Sequence, residues 1–392
     1  MVRIARRSGG FSANLRSLKM KSLRRDTHEP DESRPWHTPA MCLSARFAIC
    51  EPELRMSTLQ NRQFKLTSRP VGMVKRSDFE FVTTPAPDPG RGEVLVRVLY
   101  LSLDPAMRGW MNAGKSYIPP VGLGDVMRAG GIGRVVASND ASLAVDDTVV
   151  GMTGVQDYAI AKAKDFTKVD PRLAPLPRYL GALGMAGLTA YFGLLDIGQP
   201  KEGETVVVSA AAGAVGAVTG QIAKIKGCRV IGIAGGPDKC RYVVEELGFD
   251  AAVDYKNEDV RAALARLSPK GIDIYFDNVG GEILDNVLSM LARHARVIIC
   301  GAISQYNNHE SIQGPRNYLS LLINHARMEG FVVFDYAARY PEGMQALAGW
   351  MFNGKLKARE DIVDGLETFP DTLQKLFRGE NFGKLAIKVA DE

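Results

Sequence analysis

Between about residues 64 and 170, apolar positions come in short runs closed off by proline and glycine. Glu93–Leu101 (EVLVRVLYL), Gly131–Ala137 (GIGRVVA) and Asp147–Gly151 are such runs, and Pro85-Ala-Pro-Asp-Pro-Gly90 and Pro119-Pro120 punctuate them. Runs of this length bounded by turn formers predict a compact, mostly antiparallel β unit. Near Leu180 the pattern changes. A helical stretch, Gly181–Leu195, leads into strand-length apolar runs that alternate with helical ones. The expected strands are Thr205–Ser209, Arg229–Ala234, Ala251–Asp254, Ile272–Phe276, Arg296–Cys300 and Gly330–Phe334. Strands alternating with helical crossovers predict a parallel sheet, and six of them match a doubly wound Rossmann domain. The expected fold class is therefore α/β, with a second, mostly antiparallel β domain. No run approaches the roughly 18 to 20 apolar residues of a membrane-spanning helix.

Composition changes this picture little, and charge only once it is located. The 392 residues are 46% hydrophobic and 24% charged, values that suit two domains with sizeable cores. The net charge of +5 sits in residues 1–56, where eleven Lys and Arg face six Asp and Glu. The remaining chain is neutral, so charge gives no argument for a nucleic-acid-binding domain. Residues 1–25 carry eight basic residues and no acid, but no apolar segment of a secretory signal. A transit peptide, a basic tail for an anionic surface, and a disordered or mis-started extension before Met56 all fit. The last is preferred, and residues 1–56 are left out of the fold. The five cysteines are scattered with no C-x-x-C pair, which argues against a disulfide scaffold and for a reducing compartment, the cytoplasm.

The strongest local signal is Val206-Val-Val-Ser-Ala-Ala-Ala-Gly213-Ala-Val-Gly216, followed by a helical run through Lys226. A strand, a small-residue turn and a helix form the dinucleotide-binding context. Ala211 stands where G-x-G-x-x-G has its first glycine. Gly213 is expected to let the backbone approach a pyrophosphate, and Gly216 to let helix pack on strand, with the helix N-terminus facing the phosphates. The second strand ends in Gly235-Gly236 with no acid to accept from ribose hydroxyls; Asp238 is read as a cap of the following helix. Lys239, and Tyr255 after the third strand, offer a cation and a hydroxyl to a 2′-phosphate, so the expected cofactor is NADP(H). Residues 57–227 contain neither cysteine nor histidine, which excludes the ligand set of a zinc alcohol dehydrogenase and leaves no expected metal.

Further motifs occur in order: Asn61-Arg-Gln, Leu103-Asp-Pro-Ala-Met-Arg-Gly-Trp110, Gly184-Met-Ala-Gly-Leu-Thr-Ala-Tyr191, Tyr275-Phe-Asp-Asn-Val-Gly-Gly281, Cys300-Gly-Ala-Ile-Ser-Gln-Tyr306-Asn, Glu329-Gly-Phe-Val-Val333 and Asn381-Phe-Gly-Lys384. With the glycine turn, they resemble the zinc-independent prostaglandin reductase/leukotriene B4 dehydrogenase branch of the medium-chain dehydrogenase/reductases, which includes plant alkenal double-bond reductases and bacterial curcumin reductase. The resemblance covers about residues 57 to 390. It implies a GroES-like catalytic domain at 57–179, a Rossmann NADP-binding domain at 180–351, a segment at 352–392 returning to the catalytic domain, and a homodimer. It also implies an enzyme that saturates the carbon–carbon double bond of enones and alkenals. Gly213, Val215 and Gly216 would meet the pyrophosphate, and Lys239 and Tyr255 the 2′-phosphate. Asn278, Cys300, Gly301 and Ile303 would line the dinucleotide. Phe331, Val332 and Val333 would hold the nicotinamide with Met185 over its other side, and Asn381 and Gly383 would reach in from the returning segment. Ala106 departs from the family's usual tyrosine, a change expected to widen the substrate pocket.

Asp104-Pro105 and Arg108 are read as a structural turn with a buried ion pair. Tyr306 is the expected catalytic group, since charge developing on the substrate carbonyl needs a donor and a tyrosine stays protonated at neutral pH. An NADPH quinone reductase and a non-enzymatic NADPH sensor remain as alternatives. The dimer is expected to form along the apolar edge of the sixth strand, Gly330–Phe334.

Overall fold

The computed structural model describes residues 59–308, 312 and 314–392; the basic extension, and with it every reading of residues 1–56, lies outside them. A two-stranded antiparallel ribbon opens the described chain, β1 (Gln60–Leu66) pairing with β2 (Phe79–Pro85). A larger sheet is built from β3 (Glu93–Ser102), β4 (Gly130–Ser138), β5 (Thr148–Met152), β6 (Tyr158–Lys162) and β7 (Phe166–Lys168). These pair antiparallel, with β3 between β4 and β6. A five-residue helix, α1 (Ala106–Trp110), leaves the end of β3.

Helix α2 (Met185–Phe192) continues as a π-helical turn, Gly193–Gly198, so the helical stretch expected from Gly181 starts four residues later. The parallel sheet then runs β8 (Thr205–Ser209), α3 (Ala214–Ile225), β9 (Arg229–Ala234), α4 (Pro237–Arg241), β10 (Ala251–Asp254), α5 (Val260–Leu267), β11 (Ile272–Asp277), α6 (Gly281–Leu288), β12 (Leu291–Ile299), α7 (Leu319–Ile323) and β13 (Arg327–Gly330). Its order is β10-β9-β8-β11-β12-β13, all parallel, the doubly wound arrangement. Val206, Val207, Val208, Ile231, Ile274 and Val297 are fully buried, as near-continuous apolar strands covered on both faces must be.

One strand is misplaced by the sequence pattern. The last parallel strand spans Arg327–Gly330, not Gly330–Phe334; its ladder with β12 ends at Gly330, paired with Ile299, and a 3₁₀ turn, Val333–Arg339, comes after it. The Phe331 ring turns inward, edge-on to Phe276 and Tyr336. In the Phe-Val-Val-Phe run, Phe331 and Val333 pack half-buried on the core while Phe334 stays exposed, and the run follows the last strand without forming the sheet edge.

Helix α8 (Tyr340–Phe352) packs beside α2. The chain then adds β14 (Glu360–Asp364), α9 (Phe369–Arg378) and β15 (Lys384–Lys388). β14 and β15 pair in parallel, and β15 pairs antiparallel with β3, so the last strands complete the antiparallel sheet.

Candidate active site

Nearly all the expected cofactor residues lie just past the carboxyl ends of the parallel strands, where open α/β sheets bind ligands. After β8 the chain turns through Ala210, in the left-handed region at φ 49, and the Ala211 N–H is fixed by the Ile233 carbonyl at 3.0 Å. The Ala211 methyl is tolerated because β9 presents Gly232 opposite it: a Cβ there would lie 2.8 Å from the Ala211 Cβ. Gly216 is steric in origin, since a Cβ would sit 2.3 Å from the Ala210 carbonyl oxygen. Gly213 precedes α3, whose first-turn N–H groups, Ala214 to Gly216, have no acceptor within the helix and are open to an anion. Gly213 also bridges to Gly383, whose N–H donates to the Ala212 carbonyl at 2.8 Å.

At the tip of β9, Gly235 and Gly236 offer no carboxylate. The nearby Asp254 carboxylate is taken up by the Gly236 and Lys256 N–H groups and the Asn257 amide, at 2.7, 3.1 and 2.7 Å. Asp238 does not cap α4, whose N-cap is Gly236; it pairs instead with Arg241. Lys239 donates to the Gly379 carbonyl at 2.7 Å, and burial, then the nearby Lys256, lowers its pKa. The Tyr255 ring covers Gly235, where a Cβ would come within 2.8 Å of it, and its hydroxyl points toward Gly379. Lys239 and Tyr255 thus converge on one spot beside an acid-free strand tip. These residues fit a dinucleotide carrying a 2′-phosphate.

The middle of the site is organised by Asp277, which lies in the Tyr275-Phe-Asp-Asn-Val-Gly-Gly281 motif but is given no role by it. Its buried carboxylate accepts from the N–H groups of Val279 and Gly280 and the hydroxyls of Tyr275 and Ser209. Burial nevertheless raises its pKa. Asn278 donates its amide to the Ser209 carbonyl, and its own carbonyl accepts from Ile303, binding the β11 and β12 tips together. Burial, then the Asp277 charge, pushes the Cys300 thiol up to about 12, so it has no thiolate reactivity near neutral pH.

Tyr306 closes this loop. Its hydroxyl accepts from the Ala302 N–H at 3.1 Å and keeps its own proton to donate; burial raises its pKa above the ordinary tyrosine value. Asn307 is next, its amide reaching the Met73 sulfur of the β unit, its carbonyl oxygen buried with no hydrogen-bond partner among the described residues. Tyr117 is a second hydroxyl, one that no local pattern marks. It accepts from the Trp110 indole at 3.2 Å, leans on Phe334 with centroids 6.2 Å apart, and has its pKa raised by burial. Phe331 to Val333 lie just beyond β13 and not within it, and Met185 opens α2 with its side chain exposed. Asn381 is buried, its amide spent on the Gly383 carbonyl.

The Asp104 turn holds an ion pair, but not with Arg108, and only its cation is buried: the Asp104 side chain stays 37% exposed. The Asp104 carboxylate accepts from Lys384 at 2.6 Å, and Lys384 also donates to the Leu103 carbonyl. Arg108 is buried against the carbonyls of Pro70 and Gly72 and the Asn112 side chain. Ala106 opens α1, packed on the core of the β unit. No group of three or more His, Cys, Asp or Glu comes together among the described residues, and no described helix is long and apolar enough to cross a membrane.

Comparison with known proteins agrees with this layout. Residues 62–169 match the family described as the N-terminal domain of oxidoreductase, and residues 214–349 match the family described as zinc-binding dehydrogenase. The chain is 46% identical to the NADPH-dependent curcumin reductase of Escherichia coli over 338 residues, 85% of this chain and 98% of that one. It is 42% identical to the NADP(+)-dependent 2-alkenal reductase of Nicotiana tabacum over 340 residues, 85% and 99% of the two chains. The crystal structure of CurA from Vibrio vulnificus in complex with NADPH superposes with a TM-score of 0.81 at 46% identity, covering 84% of this chain and all of that one.

Proposed function

The chain belongs to the medium-chain dehydrogenase/reductase family, in the branch of curcumin, alkenal and prostaglandin reductases, and from that premise we propose that it reduces the carbon–carbon double bond of α,β-unsaturated ketones and aldehydes with NADPH. The observation that carries the reading is the protonated Tyr306 hydroxyl beyond the end of β12, on the loop that Asn278 ties to the dinucleotide site. When bound, NADPH supplies the hydride that goes to the β-carbon of the enone.

The chain's own residues bind, orient and protonate. Gly213, Val215 and Gly216 leave room and free N–H groups for the pyrophosphate, while Lys239 and Tyr255 select the 2′-phosphate. Asn278, Cys300, Gly301 and Ile303 form the wall along the dinucleotide. Phe331, Val332 and Val333 with Met185 border the nicotinamide, and Asn381 and Gly383 close the site from the returning segment. Tyr306 donates to the carbonyl oxygen as negative charge develops there. The α-carbon then takes its proton from Tyr306 or from water. With neither cysteine nor histidine in residues 57–227 to hold a zinc ion, the cofactor hydroxyls and Tyr306 are the candidate donors.

Steady-state NADPH oxidation with a panel of enones, alkenals and quinones tests this. Enones and alkenals should turn over fastest; faster turnover of quinones would make the chain a quinone reductase, and none with any acceptor would make it a sensor.

The finer readings extend the same proposal. The catalytic unit comprises residues 57–179 with 352–392, and the cofactor domain 180–351; the pairing of β15 with β3 supports the division. A chain starting at Met56 should keep full activity. Cys228, Cys240 and Cys300 are free thiols, in keeping with a reducing compartment, the cytoplasm. A homodimer would form on the cofactor domain, at the outer side of β13, where Leu322 and Ile323 of α7 stand 76% and 74% exposed. Light scattering at micromolar concentration should give twice the chain mass.

A further inference from the structure

The side chain that decides between NADPH and NADH is itself held in place by an aromatic ring from the far end of the chain. The Lys239 ammonium lies 5.3 Å from the centroid of Phe382, and the Arg359 guanidinium lies 4.5 Å from that same centroid. Arg359 also sits 5.5 Å from the Tyr242 ring, which meets Phe382 edge-on at 5.7 Å. Two cations and two rings thus form one stack. Its backbone is fixed as well: Phe382 stands between Gly383, which is bonded to the glycine-rich turn, and Gly379, whose carbonyl accepts from Lys239.

A lysine has a long, rotamer-rich side chain, and a free ammonium beside a phosphate site spends much of its time elsewhere. Here its hydrogen bond goes to a neutral carbonyl, and burial already disfavours its charge. The face of an aromatic ring attracts a cation without neutralising it, and does so more strongly where water is displaced. A carboxylate in the same place would hold the lysine equally well but would repel the 2′-phosphate.

We infer that Phe382 is a positioning residue for cofactor selectivity, its ring, braced by Arg359 and Tyr242, holding the Lys239 ammonium ready for a 2′-phosphate. The inference rests on the NADPH reading above and adds a residue that touches Lys239 rather than the phosphate. It assigns to the Phe of Asn381-Phe-Gly-Lys384 a role separate from that of the backbone around it.

The test is equilibrium binding of NADPH, NADH and 2′,5′-ADP to the whole chain, measured by nucleotide fluorescence and competition. Phe382→Leu should raise the Kd for NADPH and for 2′,5′-ADP about three- to tenfold and leave that for NADH within about twofold. Phe382→Tyr, which keeps the ring, should restore the original values. Added to Lys239→Ala, Phe382→Leu should cause no further selective loss, because the two changes remove one interaction. Equal weakening of NADPH and NADH by Phe382→Leu, or no change in either, would overturn the positioning role. The cofactor reading fails separately: a starting protein that does not prefer NADPH, or a Lys239→Ala variant that weakens both nucleotides alike, would remove the 2′-phosphate assignment itself.

Discussion

The two ends of the site are built on different principles. At the pyrophosphate turn, geometry is set by backbone and by small residues of the first two parallel strands: the Ala210 turn, Gly216 against the Ala210 carbonyl, Gly232 making room for Ala211. At the substrate end it is set by side chains that meet from distant segments, such as Lys384 on Asp104 or Asn307 on Met73. The first end has little freedom to vary without losing its shape. The second can exchange individual side chains and keep its frame, which is where a family of reductases can differ in substrate.

The contrast can be broken first at its rigid end. Gly216→Val would drive a side chain into the Ala210 carbonyl, and we expect loss of nucleotide binding by more than about 100-fold together with lower soluble yield, read by NADPH titration. A variant that binds normally would show that the turn is not sterically determined. Next comes Tyr306→Phe, which should lower kcat by roughly one to three powers of ten with NADPH affinity little changed. Because burial raises the pKa of Tyr306, its hydroxyl stays protonated beyond the usual value of about 10, so kcat should not fall as pH passes 10, only above it. A drop in rate centred near pH 10 or below would put another group in charge.

Lys384→Met tests the distant pairing. It leaves the Leu103 carbonyl without its side-chain donor and the half-exposed Asp104 carboxylate without its cation, a loss of about 1 to 2 kcal/mol in denaturant unfolding. The smallest effect is expected from Ala106→Tyr at the start of α1, which should raise KM a few-fold for bulky enones and leave small alkenals alone. An equal shift for both would mean that position 106 does not border the substrate.

The same contrast governs what the sequence reveals. Five of the six parallel strands cover most of the stretches that apolar runs single out, because a strand covered on both faces is largely apolar; β12 begins earlier than its apolar run, at Leu291, through the exposed Arg293 and His294. The sixth is displaced because the true edge strand, Arg327–Gly330, is exposed and carries little apolar signal, while the apolar Phe331–Phe334 run follows it in a turn that periodicity cannot tell from a strand. The glycine turn and the acid-free tip of β9 are legible because each is a local motif. Tyr117 is not, and neither are the roles of Asp277 and Lys384, although both residues fall within recognisable motifs. Lys384 and Asp104 lie 280 residues apart, and no local pattern encodes a contact that only the closed sheet brings about.

The backbone bridge between Gly213 and Gly383 has a consequence for how the molecule is made. The glycine-rich turn and its helix can form early, from neighbouring residues, but the strand that latches onto them is synthesised roughly 170 residues later. Joining such distant segments carries a loop-closure cost, and it waits on the emergence of β15 from the ribosome. A nascent chain would therefore carry a recognisable nucleotide turn well before it carries a competent one. The ability to bind cofactor is then a property acquired among the last steps of folding, and a sign that the β domain and the parallel sheet have come together.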